Sequence, residues 1–151
     1  MRNWRKDAKG ATIVLIAALV VSQAIRIDRS NPPVQAELSA NAEVAAILRR
    51  ACYNCHSNET LWPWYTNIAP VSWLAGSDVY SGRRLLNFSS WEAYDRNLQS
   101  EKLKEIAETV AGGEMPPWYY TLVHSEARLD AKEREQIKSW TTTLLARPAR
   151  Q

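Results

Sequence analysis

The sequence is poor in the residue types that most often build a chemical site. It has two cysteines, two histidines, two methionines and a single phenylalanine. Two cysteines exclude the multi-disulfide framework that holds many small secreted domains together. Charge of one sign is also scarce once its location is considered. The formal net charge is +3, yet Arg2, Arg5, Lys6 and Lys9 stand against Asp7 alone in the first ten residues. The rest of the chain balances. A neutral body has no electrostatic footprint for a phosphate backbone, which excludes nucleic acid as a partner. Strand-like alternation, internal repeats, a Ser-His-acid set and a phosphate-cradling glycine loop are all missing, so no hydrolase or transferase constellation forms. At 151 residues with 46% hydrophobic content, the chain is long enough for one domain with a real core.

What is present begins with the basic stretch, followed by an apolar run from Ala11 to Ile25. A positive region ahead of a hydrophobic one is the order of a secretory leader. Ser22-Gln23-Ala24 puts small residues where a signal peptidase inspects, so cleavage after Ala24 is one expectation. Retention as an anchor is the other. Fifteen helical residues span about 22 Å, short of the roughly 30 Å hydrocarbon core, and Arg26 can snorkel to extend the span. Either way the body is expected outside the cytoplasm, in the periplasm, free or anchored to the inner membrane. The expected organisation is a signal or anchor over 1–28, a linker over 29–36 carrying Asn31-Pro32-Pro33, and one domain over 37–147.

Within that domain the punctuation is helical. Asn41 caps a segment whose Val44, Ile47, Leu48 and Ala51 share a face and which runs into Cys52. Val71, Leu74, Ala75 and Val79 predict a helix ending near Gly82. Ser89 with Glu92 predicts a short turn, and Ser100 is placed as the cap of a helix carrying Leu103, Ile106, Ala107 and Val110, stopped by Gly112-Gly113. After a Met115-Pro116-Pro117 turn, Asp130 and Glu133 open a last helix with Ile137, Trp140 and Leu144 on one side. The fold class is therefore all-α, with long middle loops of the kind that wrap a ligand.

The two cysteines stand as Cys52-Tyr53-Asn54-Cys55-His56, the C-x-x-C-H spacing of covalent haem attachment. Two thiols one turn apart reach two vinyl groups on one porphyrin edge, and the adjacent His56 presents a neutral imidazole nitrogen to iron. Competing readings are weaker. A redox-active pair needs a βαβ context, a disulfide over so short a loop stabilises little, and His56 sits too close to Cys55 for a closed zinc site. The expected cofactor is one covalently attached haem c with its iron. For the far ligand, Met115 is the one methionine besides the initiator, and it occupies a glycine- and proline-bounded turn rather than a helix face. His124 is the alternative to Met115 as metal ligand, with a hydrogen-bonded loop histidine as its plainer reading. Trp62, Trp64, Trp73, Trp91, Trp118 and Trp140 can wall a haem or simply build the core. Arg83-Arg84 can meet a propionate or remain solvated.

The runs ACYNCHSNETLWPWYTNIAPVSWL, DVYSGRRLLNFSSW and GGEMPPWYYTLVHSEARL, with the closing Trp140, resemble the small bacterial haem-binding domain family defined around C-x-x-C-H, over roughly Arg29 to Trp140. The resemblance implies haem binding through Cys52, Cys55 and His56, and it marks Glu114-Met115-Pro116-Pro117-Trp118 and His124 as family-pattern positions. It also implies an N-terminal membrane anchor. The arrangement is further similar, at the level of fold, to class I cytochromes c. The function expected is mono-haem electron transfer with a redox partner protein. A haem-based sensor or gas-binding module, or a weak peroxidatic enzyme, is the alternative, and both need a labile sixth position.

Overall fold

Asn41 begins the first helix of the folded body because its side-chain oxygen accepts from the Val44 backbone N–H at 2.9 Å, satisfying an amide the helix leaves open. A computed structural model describes residues 4–147, without the side chains of Arg5 and Lys6. The expected basic start is thus only partly covered: Arg2 and the side chains of Arg5 and Lys6 lie outside the described residues. The helices are α1 (Trp4–Ser22), α2 (Ala42–Ala51), α3 (Tyr53–His56), α4 (Val71–Leu85), α5 (Arg96–Ala111), α6 (Trp118–Val123) and α7 (Ala131–Leu145). Short 3-10 turns occur at Trp64–Asn67, Trp91–Ala93 and Ser125–Ala127. Among the described residues, extended pairing is limited to an isolated parallel bridge between Ala36 and Ser90. The all-α class follows.

The chain divides into two compact units. One comprises Met1–Ser30 with Trp62–Asp78, and the other Asn31–Leu61 with Val79–Gln151. The second holds the core. Val44, Ile47, Leu48 and Ala51 of α2 are buried with Leu103, Ile106 and Val110 of α5 and Ile137 and Trp140 of α7. These are the spacings that put apolar side chains on one helical stripe. α5 packs most extensively on α7, and α2 also packs on α7. α7 opens with a full capping box in which Asp130 accepts from the Glu133 N–H and Glu133 accepts from the Asp130 N–H.

Three local expectations are corrected. α5 starts at Arg96, not after Ser100: Asp95 accepts from the Leu98 N–H at 3.0 Å, and Ser100 sits inside the helix with its hydroxyl donating to the Arg96 carbonyl. An acidic cap complements the positive end of the helix dipole, and nothing from Arg96 to Gln99 breaks a helix. Ser89 does not cap the Trp91 turn. Its hydroxyl accepts from the Asn58 N–H instead. The chain after Met115-Pro116-Pro117 turns directly into α6, with Pro117 preceding its first residue. The extended arm is fastened to the body: Gln35 and Ala36 both donate to the Ser89 carbonyl, and Leu38 donates to that of Phe88.

Among the described residues, no helix is long and apolar enough to cross a membrane.

Candidate functional site

α2 ends where Cys52 leaves helical geometry, at φ −125° and ψ −35°. The chain re-enters a single helical turn, closed by Cys55 and His56 N–H groups on the Cys52 carbonyl at 3.1 and 2.9 Å. This break separates the C-x-x-C-H turn from α2 and aims it as an independent unit. The two thiols are not joined in a disulfide. Burial pushes the Cys52 thiol up to about 12, with Cys55 adding to the shift and Arg50 opposing it, so the sulfur is held as an uncharged thiol.

His56 is fixed from behind. Its Nδ1 lies 3.0 Å from the Gly82 carbonyl and 3.1 Å from that of Leu86. Both partners are acceptors, so Nδ1 carries the proton and Nε2 keeps its lone pair. Burial lowers the imidazole below its ordinary range, and the two carbonyls offset part of that effect. A neutral ring with its tautomer set by backbone is the form a metal requires. The approach of α4 depends on Gly82. A Cβ there would stand 2.5 Å from the Cys55 carbonyl oxygen and 2.9 Å from its carbon, a clash with backbone that cannot swing away.

In front of these residues lies a small open cleft of about 130 Å³. Cys52 and His56 line it on one side, with Leu48, Leu86 and Phe88 among its apolar walls, and Met115 lines it together with Ile106 and Val110 of α5. An imidazole and a thioether therefore face one largely apolar space that also receives a thiol of the motif. That donor chemistry fits an iron porphyrin: His56 and Met115 would hold the iron, and the apolar side chains would cover the macrocycle.

Other expected positions fall elsewhere. His124 stacks on Tyr120 at 4.3 Å and its Nδ1 lies 2.9 Å from the Glu126 carboxylate; it is not among the residues lining the cleft. None of the tryptophans lines it either. Trp91 and Trp140 are core residues, whereas Trp64 and Trp118 are exposed. The indole N–H groups of Trp62 and Trp140 are buried without a hydrogen-bond partner. Of the Arg83-Arg84 pair, Arg84 is exposed and Arg83 is half-buried, and neither lines the cleft. Arg83 donates to the Ser57 carbonyl at 2.8 Å, to Asn31 at 2.6 Å and to Thr60 at 2.9 Å, which clamps the strand of chain leaving the motif.

Sequence reasoning gave no role at the site to Tyr53, Asn54 or Phe88, and it took Gly82 as the end of a helix that instead runs on to Leu85. Asn54 accepts from the Leu61 N–H and donates to the Tyr120 hydroxyl at 2.8 Å, which ties the motif to α6. Tyr53 stacks on Phe88 at 5.3 Å, and its hydroxyl donates to Glu37 at 2.6 Å. Phe88 in turn meets the His56 ring edge-on at 6.4 Å. The signal available was the pair of residues inside C-x-x-C itself.

The chain is 29% identical over 107 residues to cytochrome c peroxidase Ccp of Escherichia coli (strain K12), a match covering 68% of this chain and 23% of that protein. The chain thus spans about a quarter of the length of that relative. No solved structure matches. The family of haem-binding domains matches over residues 13–143, and with a cleft that already pairs an imidazole with a thioether, the chain belongs to that family.

Proposed function

We propose that the protein is a mono-haem c-type cytochrome acting as an electron carrier outside the cytoplasm. Cys52 and Cys55 would hold the haem by thioether bonds, His56 would be the proximal ligand and Met115 the distal one. The observation that carries this reading is that Cys52, His56 and Met115 line one apolar cleft. Haem supplies a one-electron iron couple when bound. The protein orients the imidazole through Gly82 and Leu86, excludes water with Leu48, Phe88, Ile106 and Val110, and fills the far position with Met115. Thioether ligation raises the potential, and two protein ligands leave no place for substrate. A cytochrome c-like arrangement is supported by α2 leading into the motif and packing on α7. The export order at the N-terminus supports a periplasmic location, and the balanced charge of the body supports a redox protein as partner rather than nucleic acid.

A pyridine haemochrome spectrum with intact mass, on protein made in a cytochrome-maturing host, tests attachment. A c-type spectrum and a mass raised by one haem are expected; loss of all pigment into acidified organic solvent sinks the covalent reading. Met115→Ala is expected to abolish the weak red absorption of a methionine–iron bond in the ferric protein. Persistence of that band removes Met115 from the iron.

The similarity to a chain named cytochrome c peroxidase favours a second reading, a peroxidatic or gas-binding haem with a labile sixth position. Carbon monoxide separates the two. Slow or absent binding to reduced protein fits the carrier, and rapid, complete binding fits the labile site.

A further inference from the structure

The unit formed by Met1–Ser30 and Trp62–Asp78 has no part in the cleft, and its chemistry is different. No charged residue occurs between Lys9 and Arg26, and none between Glu59 and Asp78. These two charge-free segments are distant in sequence and knit together in the fold. The Gln23 side chain accepts from the Ala69 N–H at 3.0 Å and donates to the Ala69 carbonyl at 3.4 Å. The Trp73 indole donates to the Ile25 carbonyl at 3.2 Å. Ile27 packs against Gly76, where a Cβ would come within 3.0 Å of it. Arg29 donates to the Thr66 carbonyl and to Asn67, and its guanidinium lies 5.6 Å from the centre of the Trp62 ring.

These contacts fall on both sides of the expected scission point after Ala24. Cleavage there would remove Gln23 and its paired hydrogen bonds to Ala69. The same unit leaves much apolar surface in contact with solvent. Trp64 is 74% exposed, Leu74 51%, Ile68 48% and Val71 43%, and on α1 Ile13, Val14, Leu15, Ile16, Leu19, Val20 and Val21 are all exposed. The uncharged stretch of α1 after Lys9 and a tryptophan-bearing patch of the same unit form a surface suited to lipid rather than water. The distribution of charge names the occupant. Lys9 lies at one end of the apolar run and Arg26 at the other, where ammonium and guanidinium groups meet headgroups, and an exposed indole favours the bilayer interface. α1 alone is not long and apolar enough to cross a membrane, and Trp64, Ile68, Val71 and Leu74 add the contact it lacks.

Beyond the N-terminal anchor that the family resemblance implies, we infer that Trp64, Ile68, Val71 and Leu74 seat beside the retained helix in the lipid interface, making this unit a membrane-docking module. The inference rests on the extracytoplasmic location proposed above and is independent of the haem ligands. It reassigns the Trp62–Tyr65 cluster from haem wall to membrane contact.

The full-length haem-loaded protein tests it in two ways. Intact mass of the membrane-extracted chain is expected to include residues before Gln23. A chain beginning at Ile25 overturns the inference and leaves the export reading standing. In flotation with vesicles of equal parts phosphatidylcholine and phosphatidylglycerol, Trp64→Ser combined with Leu74→Ser is expected to lower the bound fraction at limiting lipid about tenfold, as two apolar side chains lose their burial. Ile68→Ser, a milder change, is expected to lower it by a smaller factor, and circular dichroism is expected to stay unchanged in both. Unaltered flotation, or a patch variant that alters oligomeric state and not vesicle binding, assigns the surface to another occupant and overturns the inference.

Discussion

The two compact units solve the problem of apolar surface in opposite ways. The large side chains most completely enclosed by protein (Phe88, Leu48 and Ile137) all belong to the unit of Asn31–Leu61 and Val79–Gln151. The unit of Met1–Ser30 and Trp62–Asp78 encloses little beyond Ala69, Thr66 and Ser72, and it leaves Trp64, Ile68, Val71 and Leu74 exposed. The first unit draws its stability from its own core. The second is held by hydrogen bonds to Gln23, Ile25 and Arg29 and leaves its apolar surface for another environment. Apolar composition alone does not say where a core is; the direction of the side chains does.

Substitutions that separate core from surface sharpen this contrast. The largest effect is expected at Ile137, fully buried on α7: Ile137→Ala removes methyl groups from a packed site at a cost of about 2–5 kcal/mol. Urea unfolding measures it, and a loss below that range means that the helical unit is not the core. At Gly82 a methyl meets the Cys55 backbone. Gly82→Ala is expected to cost about 1–3 kcal/mol through overpacking and to weaken haem incorporation by displacing the carbonyl that holds His56. Normal haem yield in that variant breaks the link between α4 and the motif.

Tyr53 probes the same unit through pH. Burial, reinforced by its hydrogen bond to the Glu37 carboxylate, raises the phenol well above its usual range. Its neutral form is therefore favoured on folding, so the contribution is complete below the unfolded value near 10 and is lost as pH climbs above it. Thermal melts from neutral to strongly alkaline pH should show a fall that is shallower in Tyr53→Phe, and parallel curves would exclude this group. Asp130→Ala, which removes the cap of α7, is expected to cost about 1 kcal/mol in the same urea measurement; no change would mean that the capping box is idle. The smallest effect belongs to the other unit. Leu74→Ser at an exposed position is expected to alter stability in detergent-free solution by less than about 0.5 kcal/mol, and a core-sized loss would erase the distinction between the units.

The helices were legible wherever apolar periodicity and a cap coincided. Asn41 before Val44, Ile47 and Leu48, and Asp130 before Ile137 and Trp140, mark α2 and α7 because capping and amphipathicity are local properties. Ser100 misled because it is an adequate cap lying four residues inside a helix that Asp95 had already started. α6 escaped notice because Trp118-Tyr119-Tyr120-Thr121-Leu122-Val123 carries no apolar stripe and none of its residues is buried. At the site, Cys52, Cys55, His56 and Met115 stood out by type and spacing. Gly82, Leu86 and Phe88 did not, because their roles come from backbone carbonyls and ring contacts made across long stretches of chain.

The sequence by itself determined the all-helical class, the C-x-x-C-H turn and the one internal methionine suited to face it, since each depends on residue type and on neighbours within a turn or two. The tertiary structure decided the rest. It brought the α4 carbonyls to His56 Nδ1, placed Met115 in the cleft with Cys52, turned Arg83 into a clamp on the loop, and joined Trp62–Asp78 to the N-terminal segment. These outcomes depend on which surfaces meet when the chain closes on itself, and long-range packing of that kind leaves no periodic mark in the order of residues.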